Sequence, residues 1–143
     1  MTDADADDTG AGATDSDDTG ADGPAGGGKI LDGVTVLDLS TFVTGGFCSA
    51  MLANQGAEVV KIEQPGYGDA VRHSGPPFIN GESPYYWTLS YGKKSLELDL
   101  KNDDATEALY ELVEEADIFI QNFRPGTAER LDVDYDTLTE HNK

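Results

Sequence analysis

The hydrophobic pattern predicts four short β-strands between residues 34 and 120. Residues 34–39 form an apolar, β-branched run, which is typical of a buried strand, and residues 58–62 (EVVKI) are predicted as a second strand. Residues 95–100 alternate between polar and apolar side chains, which is typical of a half-buried strand. Residues 118–120 form one more short apolar run before a polar, Pro- and Gly-containing segment.

Helical periodicity fills the intervals between these strands. Phe47, Ala50 and Met51 recur at helical spacing after a predicted loop at residues 45–46, and Gly56 is a suitable helix end. A second apolar helical face is traced by Ala105, Leu109, Leu112, Val113 and Ala116. Strand, helix and strand within about thirty residues indicate a βαβ unit with parallel strands.

Turn and capping residues predict the remaining boundaries. Asp104 followed by Glu107 resembles a capping box with Asp in the capping position. Thr127 can cap a short helix, and a last helical turn is predicted over residues 135–140. The alternation of elements predicts an α/β fold with a Rossmann-like, layered parallel sheet.

Residues 65–95 form a long connection between two predicted strands. The segment holds four Pro, several Gly and an aromatic cluster at Tyr85, Tyr86 and Trp87. Connections of this length in compact domains are usually functional. The aromatic side chains could wall a ligand pocket, pack under the connection or contact a second copy of the chain, and the sequence leaves these alternatives open.

Composition separates the first 28 residues from the rest of the chain. They carry eight Asp, no Lys or Arg, and no bulky apolar residue after Met1. Such a segment cannot bury enough surface to offset the entropy of ordering it. We therefore predict a disordered acidic tail over residues 1–28 and a folded unit over residues 29–143. The tail has neither the basic start nor the apolar centre of a signal peptide.

The predicted folded unit is strongly acidic as well. The formal net charge of the chain is −19, and since residues 1–28 hold −8 of it, residues 29–143 hold −11. This charge repels phosphates, so nucleic acid is not an expected partner. It favours a protein adapted to high salt, where self-repulsion is screened, over an ordinary acidic protein.

Cysteine content and hydropathy narrow the class of protein further. Cys48 is the only cysteine in the sequence, so neither a disulfide framework nor a cysteine metal cluster is expected. We expect Cys48 to be a small buried hydrophobe on its helix. No apolar run approaches the ~20 residues of a membrane span. The sequence thus predicts a soluble, cytoplasmic protein with no metal site and no membrane partner.

Five segments follow one another in a characteristic order: residues 31–39 (LDGVTVLDL), 56–63 (GAEVVKIE), 66–72 (GYGDAVR), 92–101 (GKKSLELDLK) and 116–126 (ADIFIQNFRPG). Together they resemble the class III CoA-transferase family, which includes formyl-CoA transferase, carnitine CoA-transferase and methylacyl-CoA racemase. The resemblance covers the chain from about residue 30 to its end. It implies the N-terminal part of the large, CoA-binding α/β domain of an interlocked homodimer.

The resemblance implies nucleophilic chemistry on acyl-CoA and a small carboxylic acid. An aspartate attacks the thioester to give a mixed anhydride, CoA thiolate returns to form an enzyme-bound thioester, and the second acid takes over the CoA. By position the aspartate would lie beyond Lys143, so we expect no catalytic residue in this chain and no activity from the chain alone. An acyl-CoA racemase of the same family and an inactive fragment are the alternatives.

The resemblance also implies particular CoA contacts. Residues at positions where the family contacts CoA are Gln64, Leu98, Lys101, Asn122, Phe123, Arg124 and Arg130. Phe42, Val43 and Thr44 fall on the loop that lines the thioester. Gln64 stands where many relatives carry Arg, which removes one phosphate contact. Val43 stands where formyl-CoA transferase has a glutamine, which disfavours oxalate or formate as the acid.

The basic residues suit a polyanion on physical grounds as well. Five of the nine lie between residues 93 and 130: Lys93, Lys94, Lys101, Arg124 and Arg130. Arg offers bidentate phosphate geometry and Lys a point charge, and strand ends form the usual ligand crevice of open α/β sheets. The helix start near Thr127 would add a positive dipole end. Surface cations paired with carboxylates, and Phe123 as a core side chain, are the alternative interpretation.

A dinucleotide-binding oxidoreductase is the competing class of enzyme. A βαβ unit with Glu63 at the end of its second strand is typical of that class. The turn at residues 44–49 reads TGGFCS and not G-x-G-x-x-G, so the phosphate-binding turn is missing. Asp38 and Glu63 could also form an acid pair, but nothing in the sequence places them face to face, and we interpret both as structural.

Overall fold

The computed structural model of the chain describes residues 28–143. The predicted tail, residues 1–28, lies outside the described residues except for Gly28. Four strands form one sheet in the order β3-β2-β1-β4, and every neighbouring pair is parallel. The strands are β1 Thr35–Asp38, β2 Glu58–Glu63, β3 Lys93–Glu97 and β4 Ile118–Ile120. The predicted α/β fold with a parallel sheet is therefore confirmed.

Helices connect the strands and cover both faces of the sheet. They are α1 Phe42–Asn54, α2 Pro84–Ser90, α3 Asp103–Glu114, α4 Thr127–Arg130 and α5 Tyr135–His141, with a 3-10 turn at Ala70–His73. Helices α1 and α2 pack together, and α3 packs against α5. Sheet and helices thus form the layered arrangement that the alternating pattern predicts.

Side chains of β1 and β2 alternate between two separate hydrophobic cores. Val36 and Val59 pack with Ala53 of α1 on one face. Leu37 packs with Leu109 of α3 on the other face. Because both faces are buried, these strands read as continuous apolar runs and not as an alternating pattern.

The prediction of a loop at residues 45–46 is wrong, because α1 already begins at Phe42 and includes both glycines. Gly45 is buried against Ser40, and a Cβ added at Gly45 would overlap the Ser40 side chain. Gly46 faces Leu89 of α2. The two glycines therefore let the first turns of α1 approach β1 and α2 closely, which outweighs their low helix propensity.

The buried face of α1 also differs from the predicted one. Its core side chains are small, namely Gly45, Gly46, Ser49, Ala50 and Ala53. Phe47 and Met51 are instead about half exposed, and Cys48, which we expected to be buried, is exposed. Apolar residues at helical spacing therefore identified the helix but not the face that packs on the sheet.

Two further boundaries differ from the sequence-based expectation. β3 occupies Lys93–Glu97 and not residues 95–100, because it pairs with β2 from Val59 onwards. Asn102, not Asp104, caps α3, and its side-chain oxygen accepts a hydrogen bond from the Asp104 backbone N–H at 3.0 Å.

Helix α4 starts with Thr127 as its first residue and not as its cap. Gly126 precedes it with a φ of 80°, a left-handed conformation that glycine adopts without strain.

The long connection between β2 and β3 is fixed to the sheet by an Arg–Glu pair. Arg72 of the 3-10 turn donates to Glu63 from Nε at 2.9 Å and from Nη2 at 2.6 Å. Its guanidinium carbon lies 3.8 Å from the ring centroid of Tyr86. Tyr86 thus packs under the connection, while Tyr85 and Trp87 on the same helix are exposed.

Candidate functional site

A cleft of about 300 Å³ lies at the carboxyl ends of β1, β2 and β3. Its walls include Leu39 and Ser40 after β1, Gln64 after β2, and the segment 98–101 after β3. The carboxyl ends of adjacent parallel strands meet at one edge of the sheet, which is where open α/β sheets bind ligands. The cleft therefore occupies the position that the fold itself favours for a ligand.

Four of the seven predicted CoA contacts line this cleft: Gln64, Leu98, Lys101 and Phe123. Lys101 also borders a second depression of about 450 Å³, in which Arg130 lies. The two depressions share Leu100, Lys101 and Leu131. Arg124 is exposed on the segment between β4 and α4 and lines neither of them.

Asn122, another predicted CoA contact, binds the start of α1 with both ends of its amide. Its Oδ1 accepts a hydrogen bond from the Thr41 N–H at 2.8 Å. Its Nδ2 donates to the Thr41 carbonyl at 2.8 Å and to Thr44 Oγ1 at 3.1 Å. Asn122 follows β4, and Thr41 lies between β1 and α1, so the amide links adjacent strands where their connections diverge.

Phe42, Val43 and Thr44 form the first turn of α1 and not a loop, which corrects the sequence-based expectation. Phe42 has a φ of 63°, in the left-handed region that non-glycine residues adopt at a cost of roughly 1–2 kcal/mol. Its backbone N–H donates to Asp69 Oδ1 at 3.1 Å. Residue Thr41, directly before this turn, lines the cleft.

A buried charge network lies between the sheet and α1. Asp38 is fully buried, 3.0 Å from Lys93 Nζ and 3.7 Å from Lys61 Nζ, and it accepts hydrogen bonds from the hydroxyls of Ser40 and Ser49. Burial alone would raise the pKa of Asp38, but Lys61, the two hydroxyls and Lys93 hold it below its ordinary value. Burial lowers the pKa of Lys93, and the Asp38 charge opposes that shift.

Ser49 and Lys93 resemble a nucleophile and its base, since Lys93 Nζ lies 2.6 Å from Ser49 Oγ. Ser49 is nevertheless fully buried and does not line the cleft. We therefore interpret the pair as part of the structural network under α1.

Glu63 forms a second charged cluster in the wall of the cleft. Burial raises its pKa, but hydrogen bonds from Arg72, from Ser95 and from the Asp69 backbone N–H lower it to about 2. Asp38 and Glu63 thus belong to separate ion pairs with different cations, which agrees with their interpretation as structural residues.

Asp69 and Lys61 are site residues that the sequence analysis missed. Asp69 lines the cleft, and its Oδ2 lies 2.9 Å from Lys61 Nζ. The sequence contained a feature that could have identified each of them. Asp69 lies in the GYGD run that resembles the family, and Lys61 interrupts an apolar predicted strand, where an unpaired cation would be costly.

Residues 28–143 contain no group of three or more His, Cys, Asp or Glu side chains that could hold a metal ion. Within the same range, every helix is too short or too polar to cross a bilayer.

The sheet order defines an open α/β protein with a cleft at the carboxyl edge of its strands, the position where this class of fold usually binds ligands. Comparison with known families gives the particular class. The model of CoA-transferase family III matches residues 31–143, and the chain belongs to this family.

Individual relatives agree with this assignment. The chain is 47% identical over 117 residues to a succinyl-CoA:mesaconate CoA-transferase of Haloarcula hispanica, covering 78% of this chain and 29% of the relative. It is 38% identical over 112 residues to the human succinyl-CoA:glutarate CoA-transferase, covering 78% of this chain and 26% of the relative. The chain thus spans less than a third of the length of these relatives.

Solved structures give the same result for the fold. A CaiB/BaiF family protein from Brucella suis superimposes with a TM-score of 0.76 at 34% identity, covering 81% of this chain and 32% of that protein. A hypothetical protein from Mycobacterium tuberculosis superimposes with a TM-score of 0.72 at 38% identity, covering 80% of this chain and 31% of that protein.

Proposed function

We propose that the full-length protein containing this chain is a CoA-transferase, and that residues 28–143 supply part of its CoA site. The observation that carries the proposal is the cleft, where Gln64, Leu98, Lys101 and Phe123 come together in a chain of this family. Leu98 and Phe123 offer apolar surface for the adenine ring or the pantetheine arm, and Lys101 offers a point charge for a phosphate.

The charges around the cleft are compatible with an anionic ligand, although the chain is acidic overall. Two of the three carboxylates in its wall, Glu63 and Asp69, are already paired with Arg72 and Lys61. The third, Asp99, is exposed to solvent and accepts a hydrogen bond from the Lys101 backbone N–H at 3.2 Å. Lys101 is exposed at the border of both depressions and has no carboxylate partner within the described residues. The local field that a phosphate meets here is therefore less repulsive than the net charge suggests.

The proposed reaction proceeds through an aspartyl intermediate. A carboxylate oxygen attacks the thioester carbonyl of the acyl-CoA, the C–S bond breaks, and a mixed anhydride and CoA thiolate form. The thiolate then attacks the aspartyl carbonyl, which releases the first acid and leaves an enzyme thioester, and the acceptor acid takes over the CoA in the reverse order. We place this aspartate beyond Lys143, so that the 143-residue chain alone is inactive.

Two of the three carboxylates in the cleft wall are held by cations, which supports an aspartate from outside the chain. The third, Asp99, is exposed, and the family resemblance does not place the nucleophile there. Glu63 is fixed by Arg72, and Asp69 lies against Lys61 and two backbone N–H groups. A nucleophile needs a free oxygen that points at the substrate, whereas both Glu63 oxygens accept hydrogen bonds and Asp69 Oδ2 is buried against the Lys61 ammonium.

Succinyl-CoA and a dicarboxylic acid are the proposed substrates. The names of the relatives, succinyl-CoA:mesaconate and succinyl-CoA:glutarate CoA-transferase, support this choice. Val43 supports it as well, because the resemblance disfavours oxalate or formate when a glutamine is missing there. We extend the proposal to an interlocked homodimer in a high-salt cytoplasm, which the family resemblance and the net charge of −19 support.

Replacement of Lys101 tests the proposed CoA site. In the full-length protein, Lys101→Ala should weaken CoA binding about 10-fold, because one charge-assisted phosphate contact of about 1.4 kcal/mol is lost. Isothermal titration calorimetry in high salt measures the affinity. Lys94→Ala is the matched control, since Lys94 is an exposed lysine that pairs with Glu58 at 2.5 Å and lines no part of the cleft.

The results separate the site from the function. Equal CoA affinity of Lys101→Ala and the unsubstituted protein would overturn the proposed site. A full-length protein that binds no CoA and transfers none from succinyl-CoA would overturn the proposed function.

A further inference from the structure

The peptide that enters α1 is held by side chains from two distant parts of the chain. Asn122, after β4, accepts the Thr41 N–H at 2.8 Å. Asp69, in the connection after β2, accepts a hydrogen bond from the Phe42 N–H through its Oδ1 at 3.1 Å. Phe42 lies in the left-handed region with a φ of 63°. Non-glycine residues keep such a conformation only where surrounding contacts hold it.

Asp69 is well suited to hold this conformation because its own position is fixed on several sides. Oδ1 also accepts the Val71 N–H at 2.8 Å, and Oδ2 lies 2.9 Å from Lys61 Nζ. Lys61 Nζ in turn donates to the Ser40 carbonyl at 2.7 Å. The side chains of Asp69 and Lys61 are 1% and 3% exposed, so water does not compete for these contacts.

We propose that Asp69, held by Lys61, is a positioning residue that fixes Phe42 in its left-handed conformation and so sets the first turn of α1 beside the cleft. The inference rests on the proposed function, since its consequence for catalysis concerns the turn that the family resemblance places at the thioester. A displacement of about 1 Å in such a turn is enough to slow a reaction strongly.

A purely structural role for Asp69 makes a different prediction. A carboxylate that only neutralises Lys61 would be equally important whatever residue follows Thr41. A carboxylate that holds Phe42 at a positive φ becomes less important when residue 42 adopts that conformation without strain. Glycine does so readily, so Phe42→Gly distinguishes the two roles.

The experiment is a double-mutant cycle in the full-length protein with Asp69→Ala, Phe42→Gly and the combination. We expect Asp69→Ala to lower kcat for transfer from succinyl-CoA about 10-fold, with the KM for succinyl-CoA changed less than about 3-fold. In the Phe42→Gly background the same replacement should lower kcat less than about 3-fold. Hydrogen exchange of the backbone amides of residues 42–44 should be faster in the Asp69→Ala single variant than in the unsubstituted protein.

Asp117→Ala is the matched control. Asp117 Oδ2 also accepts a backbone N–H, that of Thr35 at 2.9 Å, but it lies at the other end of β1. The effect of Asp117→Ala on kcat should be the same with Phe42 and with Phe42→Gly. If Asp69→Ala does not fold, the same cycle is measured with Asp69→Asn, which keeps the side-chain volume.

An effect of the Asp69 replacement that is equal in both backgrounds would overturn the inference, as would unchanged amide exchange of residues 42–44. A protein without any transferase activity would contradict the proposed function instead. In that case amide exchange alone still supports or overturns the positioning role.

Discussion

Glu63 shows how a single buried carboxylate connects three parts of the molecule. It is the last residue of the central strand β2, binds Arg72 of the long connection at 2.6 Å and accepts a hydrogen bond from Ser95 of β3 at 2.5 Å. These contacts outweigh the effect of burial and lower its pKa from 4.5 to about 2. The carboxylate is therefore charged throughout the neutral range and contributes stability there.

Replacing Glu63 should remove this contribution in a pH-dependent way. Its native pKa is below its unfolded value, so the stabilisation is complete above about pH 4.5 and disappears as the pH falls toward 2. At pH 7, Glu63→Gln should lower the free energy of unfolding of the full-length protein by about 2 kcal/mol. This figure is below the full linkage value because Arg72 is 36% exposed.

Denaturant unfolding at a series of pH values measures the effect. The difference between Glu63→Gln and the unsubstituted protein should shrink below about pH 4.5. Glu97→Gln is the control, because within residues 28–143 the side chain of the exposed Glu97 binds only the Gly66 N–H, at 3.3 Å, and its replacement should change stability little. A difference for Glu63→Gln that stays constant down to about pH 3 would contradict the assigned pKa.

Residue placement was partly predictable from the sequence. The resemblance brought together Gln64, Leu98, Lys101 and Phe123, which the structure places in one cleft. It did not predict that Asn122 binds Thr41, because these residues are 81 positions apart and meet only through the pairing of β1 with β4. The roles of the predicted contacts toward CoA stay predictions.

At the scale of elements, strands were easier to predict than helix α1. Apolar runs identify β1, β2 and β4 directly, whereas β3 was predicted from an alternating pattern and lies closer to the N-terminus than predicted. Helix α1 has a core face of Gly, Ser and Ala, so apolar periodicity points to the wrong face. Close approach of α1 to Ser40 explains that composition.

The two glycines at the start of α1 provide a matched pair for testing this packing. Alanine usually stabilises a helix interior by about 1 kcal/mol relative to glycine. Gly46→Ala should follow that rule, since its Cβ would lie 3.6 Å from Leu89 Cβ, an ordinary contact. Gly45→Ala should instead destabilise the protein by about 1–3 kcal/mol, because its Cβ would overlap the buried Ser40 side chain.

Thermal and urea unfolding of the two variants measure this difference in stability. We expect a higher midpoint for Gly46→Ala and a lower one for Gly45→Ala. Equal midpoints, or a more stable Gly45→Ala, would mean that α1 does not approach β1 as closely as described.

At the scale of the whole molecule, the fold class and family could be predicted from the order of five short segments, and both are confirmed. The arrangement of the ligand surface could not. Lys101 links two depressions because α3, α4 and the end of β3 converge there, which depends on helix packing and not on local sequence. Arg124 was equally prominent in the sequence but lines neither depression.

Net charge acts on the molecule as a whole and makes its stability depend on salt. With a formal charge of −19, self-repulsion opposes the compact state. Screening shortens the range of this repulsion from about 10 Å at 0.1 M salt to about 3 Å at 1 M. The unfolding temperature of the 143-residue chain should therefore rise steeply with KCl and level off toward about 1 M.

Deletion of residues 1–27 is the matched variant, since it removes eight Asp and leaves the cleft residues unchanged. Because it lowers the negative charge, it should flatten the rise with KCl. Potassium sulfate at equal ionic strength separates screening from salt exclusion: screening gives the same curve, whereas exclusion makes sulfate more stabilising. An unfolding temperature that does not rise with KCl would contradict salt adaptation by charge. An equal slope with and without residues 1–27 would assign the repulsion to residues 28–143 alone.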